Sequence, residues 1–586
     1  MAPQQPPLSP SSPVLKVRRW LEELRHNENH LTLVLSLLIG ALVGLAVVAF
    51  ILLTGRLAAR MYPAGGSGWR RILVPTAGSF VTGYLLWRFF PAARGSGIPQ
   101  TKAALFIHDG RITFRTVAGK FLCCSASLAT GMALGREGPS VQIGAGLASV
   151  IARNSGLSTK QVKALVPVGC SAALAAAFNT PIAAVLFSLE EIMGDLNATV
   201  LGTAVLSSAT SWMVLHLVLG DDPLFHVTGY RLINPWELAV YAVLGVVGGL
   251  GSTVFVKLLL HLREWFAQLP RYTVWLQPVA GGLAVGIMGY FAPDVMGVGY
   301  TFVEQVLNGD VVLKTVVVLG LLKIVATCMC YSSGNAGGIF GPSLFIGAMM
   351  GAAVGSVAHT LFPASTAGPG AYALVGMGTA FAGIVRTPLT SVIMIFEVTR
   401  DYTIIVPLMV SNLIAYFIAS RLQKVPIYEA LAEQDGIHLP TAEARAQAGR
   451  SQVAHAMREA PIVLAPDAPA ITALEQVKDS LLNTWPVADR QGLYGMLRAT
   501  ELEKARANGL SAKTVRDLLH DDLESTHVHP DHPLSLALER MGSSGLRALP
   551  VVSRANVRQL LGIVLLDDIL DFYGVNQPSE ELEPQE

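Results

Sequence analysis

Charge is what this chain lacks. Of its 586 residues only 14% are Asp, Glu, Lys or Arg, whereas 52% are hydrophobic. Soluble proteins carry roughly a quarter charged residues, so the surface of a soluble globule this long cannot be built from this composition. Lys and Arg number 42 against 41 Asp and Glu, a net charge of +1, so no basic excess is present to recruit nucleic acid. Cysteine is scarce as well. Cys123, Cys124, Cys170, Cys328 and Cys330 lie in apolar stretches without the histidine-paired spacing of a zinc site, and they read as packing residues. Also missing are a metal-binding histidine pair, a nucleophile elbow and a phosphate loop ending in lysine. An enzyme is therefore not expected. Nor does the start resemble a secretory leader: residues 1–15 are rich in Pro, Ser and Gln and read as disordered.

What is abundant points to a bilayer. The runs 31–53 and 237–260 are long and apolar enough to cross about 30 Å of hydrocarbon. Lys16, Arg18, Arg19 and Arg25 precede the first of them and place the N-terminus on the cytoplasmic side. The 56 glycines suit closely packed membrane helices. Gly and Pro interrupt the remaining apolar stretches at 95–99, 135–139, 180–181, 337–342 and 387–388. Irregular backbone at membrane depth survives only where it is buried in protein or lines a wet cavity, so half-helices around an internal site are expected.

The membrane region repeats itself. Gly138-Pro139-Ser140-Val141-Gln142-Ile143-Gly144-Ala145 matches Gly341-Pro342-Ser343-Leu344-Phe345-Ile346-Gly347-Ala348, an offset of 203 positions, as from 138 to 341. Ala164-Leu165-Val166 matches Ala373-Leu374-Val375. Thr180-Pro181-Ile182 matches Thr387-Pro388-Leu389, and Glu190 matches Glu397. Such duplication is common in transporters, but the blocks alone do not say whether the halves run parallel or inverted. Beyond about residue 430 charge rises and a second repeat begins. Pro466-Asp467-Ala468-Pro469 matches Pro530-Asp531-His532-Pro533, and Trp485-Pro486-Val487 matches Leu549-Pro550-Val551. Each unit reads as an amphipathic helix followed by short β-like runs such as 547–552 and 560–566.

Three loops carry the chemistry: Gly95-Ser96-Gly97-Ile98-Pro99, Gly135-Arg136-Glu137-Gly138-Pro139 and Gly337-Gly338-Ile339-Phe340-Gly341-Pro342. Pro suits a first helical turn and Gly lets a ligand approach the backbone. A helix N-terminus offers free N–H groups and about half a positive charge. Several such weak donors can dehydrate an anion without trapping it, as a bare Lys or Arg would. A divalent-cation carrier would instead need clustered carboxylates facing its pore, and the apolar region holds single acids beside Gly-Pro steps.

In this order the three loops resemble the signature segments of the CLC family of chloride channels and chloride/proton exchangers, over roughly residues 30–430. The tail resembles the paired cystathionine-β-synthase-type (CBS) repeats attached to many CLC proteins. The resemblance implies a mainly α membrane protein with inverted broken-helix repeats, plus an α/β cytoplasmic CBS pair. It also implies a homodimer with one pore per subunit. The chain then divides into a cytoplasmic N-terminal segment (1–29), a transport domain (30–430), a linker (431–452), CBS-like repeats (453–513 and 514–576) and an acidic, disordered tail (577–586). The resemblance implies the following roles. The Ser96 hydroxyl, the backbone N–H groups of Ile339 and Phe340, and the Tyr428 hydroxyl face a central chloride. Glu137 is the gate, its carboxylate competing with chloride until a proton releases it. Glu191 is an inner proton-transfer acid where many family channels carry an apolar residue, which favours chloride/proton antiport over a voltage- or proton-gated channel. Serine at position 96 favours chloride over nitrate.

Each role has a plainer alternative: a helix cap for Ser96, an interfacial anchor for Tyr428, an ion pair with Arg136 for Glu137, a water-facing acid for Glu191. In the tail, nucleotide-binding CBS repeats typically read Gly-x-x-[Ser/Thr]-x-x-Asp. Here Asp568 fits but Leu565 replaces the hydroxyl, and the first repeat has neither. That favours a dimer-stabilising platform over an adenine-nucleotide site, with no other cofactor and no metal expected. His520, His527, His529 and His532 read as solvated loop residues. The expected setting is a prokaryotic plasma (inner) membrane, with the lipid bilayer, chloride and protons as the partners and no nucleic acid.

Overall fold

This computed structural model describes residues 28–63, 66–196, 200–221, 223–227, 232–309, 311–437, 439, 451–478, 480, 482–507, 513–519 and 527–572. The expected N-terminal segment (bar its last two residues), most of the linker, the acidic tail and His520 lie outside these residues. The chain forms two compact units, Met1–Leu439 and Pro440–Glu586.

The first unit is helical. Among the described residues, eight helices form its first half: α1 (Glu28–Met61), α2 (Arg70–Arg88), α3 (Ile98–Phe106), α4 (Phe114–Ala129), α5 (Glu137–Asn154), α6 (Thr159–Phe178), α7 (Pro181–Phe187) and α8 (Leu201–Leu219). Eight more follow in the same order: α9 (Glu237–Ala267), α10 (Gln277–Phe291), α11 (Tyr300–Leu307), α12 (Leu313–Ser332), α13 (Phe340–Leu361), α14 (Pro369–Val385), α15 (Pro388–Thr399) and α16 (Ile405–Leu422). A short α17 (Ile427–Gln434) closes the unit. Among the described residues, seven helices are long and apolar enough to cross a membrane. The unit runs past residue 430, where the sequence placed a linker, because Arg263 bonds Leu431 O at 3.2 Å, Gln434 Oε1 at 3.0 Å and Asp435 Oδ1 at 2.5 Å.

The breaks fall where proline and glycine put them. Pro181 and Pro388 sit in the first turns of α7 and α15, where a missing N–H costs nothing. The preceding helices end on left-handed residues at equivalent positions, Asn179 (φ 60°) and Arg386 (φ 69°). The halves are related by a local two-fold. Equivalent residues Gly135 and Gly338 form an antiparallel bridge and exchange both N–H···O bonds at 2.7 Å. Reciprocal pairing of equivalent residues requires a two-fold axis between them. The duplicated glutamates obey the same axis. Glu190 accepts from Thr390 N (2.8 Å) and Leu389 N (3.3 Å) at the start of α15. Glu397 accepts from Ala183 N (2.6 Å) and Ile182 N (3.0 Å) at the start of α7. Each acid thereby satisfies orphan amides of the other half.

Glycine sets the helix spacing. A methyl on Gly169 would lie 2.3 Å from Gly144 O, and one on Gly376 would lie 2.3 Å from Gly347 O, so α5 crosses α6 as closely as α13 crosses α14. All five cysteines are buried and free, as the packing reading expected.

The second unit holds two related halves. β2 (Thr484–Asp489) pairs antiparallel with β3 (Gly492–Arg498). β4 (Ala548–Val552) pairs with β5 (Leu560–Leu565), which also takes the short β1 (Met457–Arg458). Helices α18 (Ala470–Val477), α19 (Ala499–Ala507), α20 (Leu534–Ser544) and α21 (Leu566–Phe572) complete them. Register breaks at Val487/Ala488 and again at Val551/Val552, and parallel bridges join Leu464 to Val487 and Val528 to Val551, all at the repeat offset. Because β1 joins the second sheet, the halves are interlocked rather than sequential. The histidines differ from expectation. His527 is buried, its ring packs 5.1 Å from His529, which packs 4.7 Å from His532. His529 Nδ1 contacts Val552 O at 3.0 Å.

Overpacking a filled crossing costs about 1–3 kcal/mol or more. Gly169→Ala is therefore expected to lower the melting temperature of the detergent-solubilised protein by several degrees. Gly55→Ala, with open space around it, is expected to leave it unchanged or raise it. Equal effects would contradict the close crossing.

Candidate functional site

The three loops meet. A methyl on Gly138 would sit 2.7 Å from Ser96 O and 3.5 Å from Gly338 Cα, and one on Gly97 would sit 2.6 Å from Gly138 O. Gly97 has φ 104° and caps α3, with Pro99 in the first turn. Buried lysines fix this geometry from behind. Lys120 Nζ donates to Ala93 O (2.8 Å) and Gly95 O (2.7 Å). Its equivalent, Lys323, donates to Val295 O (2.9 Å) and Gly297 O (2.6 Å). The second pair exposes a fourth loop, Gly297-Val298-Gly299-Tyr300, with positive φ at Gly297 and Gly299 as at Gly95 and Gly97. Its sequence kept the glycines but lost the serine and proline, so motif reading passed over it.

Glu137, at the first position of α5, is fully buried. One carboxylate oxygen, Oε2, accepts from Gly341 N at 3.2 Å, in the first turn of α13. The other, Oε1, accepts a hydrogen bond from the Tyr300 hydroxyl and lies 3.8 Å from Arg136 Nε. The Arg136 guanidinium in turn lies 5.6 Å from the Tyr300 ring centre. An ion pair with Arg136 is thus the loosest of three contacts. The carboxylate rests on a helix N-terminus, the position an anion would take.

Ile339 and Phe340 stand at that same N-terminus. The α13 ladder begins with Ser343 N donating to Ile339 O at 3.0 Å, so the amides of both residues precede it. Both side chains are buried. The Phe340 ring packs 4.3 Å from Phe381, 4.8 Å from Phe178 and 5.6 Å from Phe187, a dry wall that strengthens amide electrostatics by excluding water. Ser96 Oγ is buried and accepts weakly from Ile98 N at 3.4 Å, so its helix-capping role is marginal. Tyr428, on α17, is buried and its hydroxyl has no hydrogen-bond partner among the described residues. That excludes an interfacial anchor. The hydroxyl is within electrostatic reach of Glu191, Tyr331 and Glu137. A cavity of about 600 Å³ opens beside Gly95, lined by Arg94, Gln100, Arg263, Tyr331 and Gly334 among others.

Glu191 does not face water. It lies in a π-helical turn, Ser188–Met193, that continues α7. π-turns often mark functional sites. The equivalent α15 stays regular and carries Val398 at the matching position. Glu191 Oε1 accepts from Lys102 Nζ at 2.8 Å, and the Lys102 ammonium lies 3.6 Å from Glu429 Oε1. Sequence reasoning missed Tyr300, Lys102 and Glu429. Lys102 stands six positions after Ser96 and Glu429 directly follows Tyr428, so proximity to known motifs was the available signal. In the second unit, Asp568 Oδ2 lies 3.2 Å from Arg458 Nε, partly engaging the acid.

Comparisons with known proteins agree with this geometry. Residues 78–420 match the family model described as voltage gated chloride channel, and residues 515–574 match that of the CBS domain. A putative chloride channel protein ClcB-like from Ralstonia nicotianae is 32% identical over 381 residues, covering 64% of this chain and 89% of that protein. An H(+)/Cl(−) exchange transporter ClcA from Salmonella arizonae is 31% identical over 421 residues, 70% of this chain and 85% of the relative. A crystal structure of a slow cyanobacterial Cl⁻/H⁺ antiporter superposes with a TM-score of 0.64 at 27% identity, covering 69% of this chain and 97% of that one. The inverted repeat around converging helix N-termini defines a membrane transport protein. The chain belongs to the voltage-gated chloride channel family, with a CBS domain in its C-terminal unit.

A hydrogen bond to a charged group contributes about 1.5–3 kcal/mol. Tyr300→Phe is expected to loosen the Glu137 carboxylate and raise bromide affinity, measured calorimetrically, roughly tenfold or more. Unchanged or weaker bromide binding would show that the carboxylate does not occupy an anion position.

Proposed function

We propose that the protein is a chloride/proton antiporter. The observation that carries this reading is the Glu137 carboxylate resting on the Gly341 amide at the start of α13. A negative side chain there competes with a mobile anion for the same partial charge. Protonation removes its charge and frees the position. Chloride passage and proton uptake are then linked by one competition. The exchange transporter among the relatives and the antiporter among the solved structures support this reading.

In this reading the central chloride is held by the amides of Ile339 and Phe340 and the hydroxyls of Ser96 and Tyr428. The Tyr428 hydroxyl, unpartnered among the described residues, and the Ser96 hydroxyl, which Tyr331 also reaches, supply groups for it. Half a charge at a helix N-terminus attracts a halide at about 4 Å by roughly 2 kcal/mol at an effective dielectric near 20. Two or three such contributions offset part of dehydration and still release the ion quickly. Lys120 and Lys323 face carbonyl oxygens and hold loops instead. Glu191 serves as the inner proton station, with the Tyr428 hydroxyl within electrostatic reach of both it and Glu137.

The wider assignment follows from family likeness: a homodimer with one pore in each subunit, in a bacterial inner membrane, with the N-terminus and CBS pair in the cytoplasm. Residues 30–430 are the core of the transport domain and 453–513 and 514–576 the two repeats. The second unit acts as a platform rather than a nucleotide sensor, because Asp568 pairs with Arg458 and Leu565 lacks a hydroxyl.

Chloride and proton fluxes recorded together in liposomes test the reading. Glu137→Gln is expected to cut proton flux roughly tenfold or more while chloride flux persists. Glu191→Gln is expected to stop proton movement and leave chloride movement. A wild-type reversal potential that ignores a pH gradient would instead identify a chloride channel of the same family.

A further inference from the structure

The cluster around Lys102 holds more charge than a simple ion pair needs. Its ammonium lies 2.8 Å from Glu191 and 3.6 Å from Glu429, and the three side chains are 4%, 7% and 21% exposed respectively. Each comes from a different element tied to the chloride site. Lys102 is on α3, which starts at the Ser96 loop. Glu429 follows Tyr428 on α17. Glu191 is in the π-turn after α7. With both acids ionised the cluster has two negative charges against one positive. Buried like charges disfavour that state.

Other charges nearby do not cancel the excess. Glu190 adjoins Glu191 but is engaged by Leu389 N, Thr390 N and Thr390 Oγ1. Arg386 is within electrostatic reach of Glu429, yet its guanidinium bonds the carbonyls of Lys424, Ala419 and Gln423. Exposure falls in order from Glu429 through Glu191 to Glu137, which is fully buried. That order runs from water inward.

We propose that Glu429 is the water-side proton acceptor that loads Glu191, with the Lys102 ammonium shifting between the two carboxylates to follow the negative charge. A proton from water forms an O–H bond on Glu429, and Lys102 closes on ionised Glu191. The Glu429 O–H then breaks as an O–H forms on Glu191, and the ammonium moves toward the carboxylate left behind. Lys102 keeps its charge throughout, so it is a positioning residue. This deepens the antiport reading and rests on it.

Paired chloride and proton fluxes in liposomes, with pH varied on the side facing the C-terminal unit, test the step. Glu429→Gln is expected to shift the pH profile of proton flux toward acid, with a loss of roughly threefold or more at alkaline pH that recovers on acidification. Glu429→Asp, which keeps a carboxylate, is expected to restore most of the flux. Lys102→Met, which removes the compensating charge, is expected to shift the profile the opposite way, toward alkaline pH. A structural defect would not give opposite shifts. Wild-type proton flux in Glu429→Gln at every pH, or the same direction of shift in both variants, would overturn the assignment. If the wild-type reversal potential ignored a pH gradient, the antiport reading itself would fail, whereas wild-type coupling that survives in Glu191→Gln, or a normal Glu429→Gln beside an uncoupled Glu191→Gln, would sink the loading step alone.

Discussion

Everything in the membrane unit depends on bringing helix N-termini together inside a low-dielectric wall. Bare charge at that depth is expensive, and a dehydrated anion needs compensation that releases it again. Amide dipoles meet both demands, but only if several converge. The exchange of hydrogen bonds between Gly135 and Gly338 ties the two loops that start α5 and α13. The Ser96 loop packs onto Gly138. A side chain at Gly97, Gly135 or Gly138 would push these termini apart.

The same two-fold distributes load between the halves. Lys120 and Lys323 hold equivalent loops, and Glu190 and Glu397 cap each other's partner helices. Function enters where symmetry fails. Ser96 has no hydroxyl counterpart in the Gly297 loop, which instead supplies Tyr300 to Glu137. Glu191 has only Val398 opposite, and the π-turn occurs on its side alone among the described residues. In the proposed reading one half thus contributes the inner proton station, while the gate is assembled from both.

Much of this was legible in the sequence. Low charge, broken apolar runs and the offset of 203 positions announce a duplicated membrane protein, and Gly-Pro steps mark the N-termini of α3, α5 and α13. Other features were hidden because they depend on contacts far apart along the chain. Tyr300 reaches Glu137 across 163 positions and Lys102 reaches Glu191 across 89. Neither sits in a motif of its own. The two-fold relation of the halves required a pairing geometry, since matching blocks alone define no axis. The histidines near 530 were misjudged as solvated because a short polar segment gives no sign that β4 packs beneath it.

The most direct test is anomalous diffraction from crystals grown in bromide. Density is expected within hydrogen-bonding distance of the Ile339 and Phe340 amides and the Ser96 and Tyr428 hydroxyls, with no lysine or arginine head in contact. Bromide bound instead beside a fixed cation, or none within reach of these four groups, would contradict the claim that backbone dipoles carry the anion.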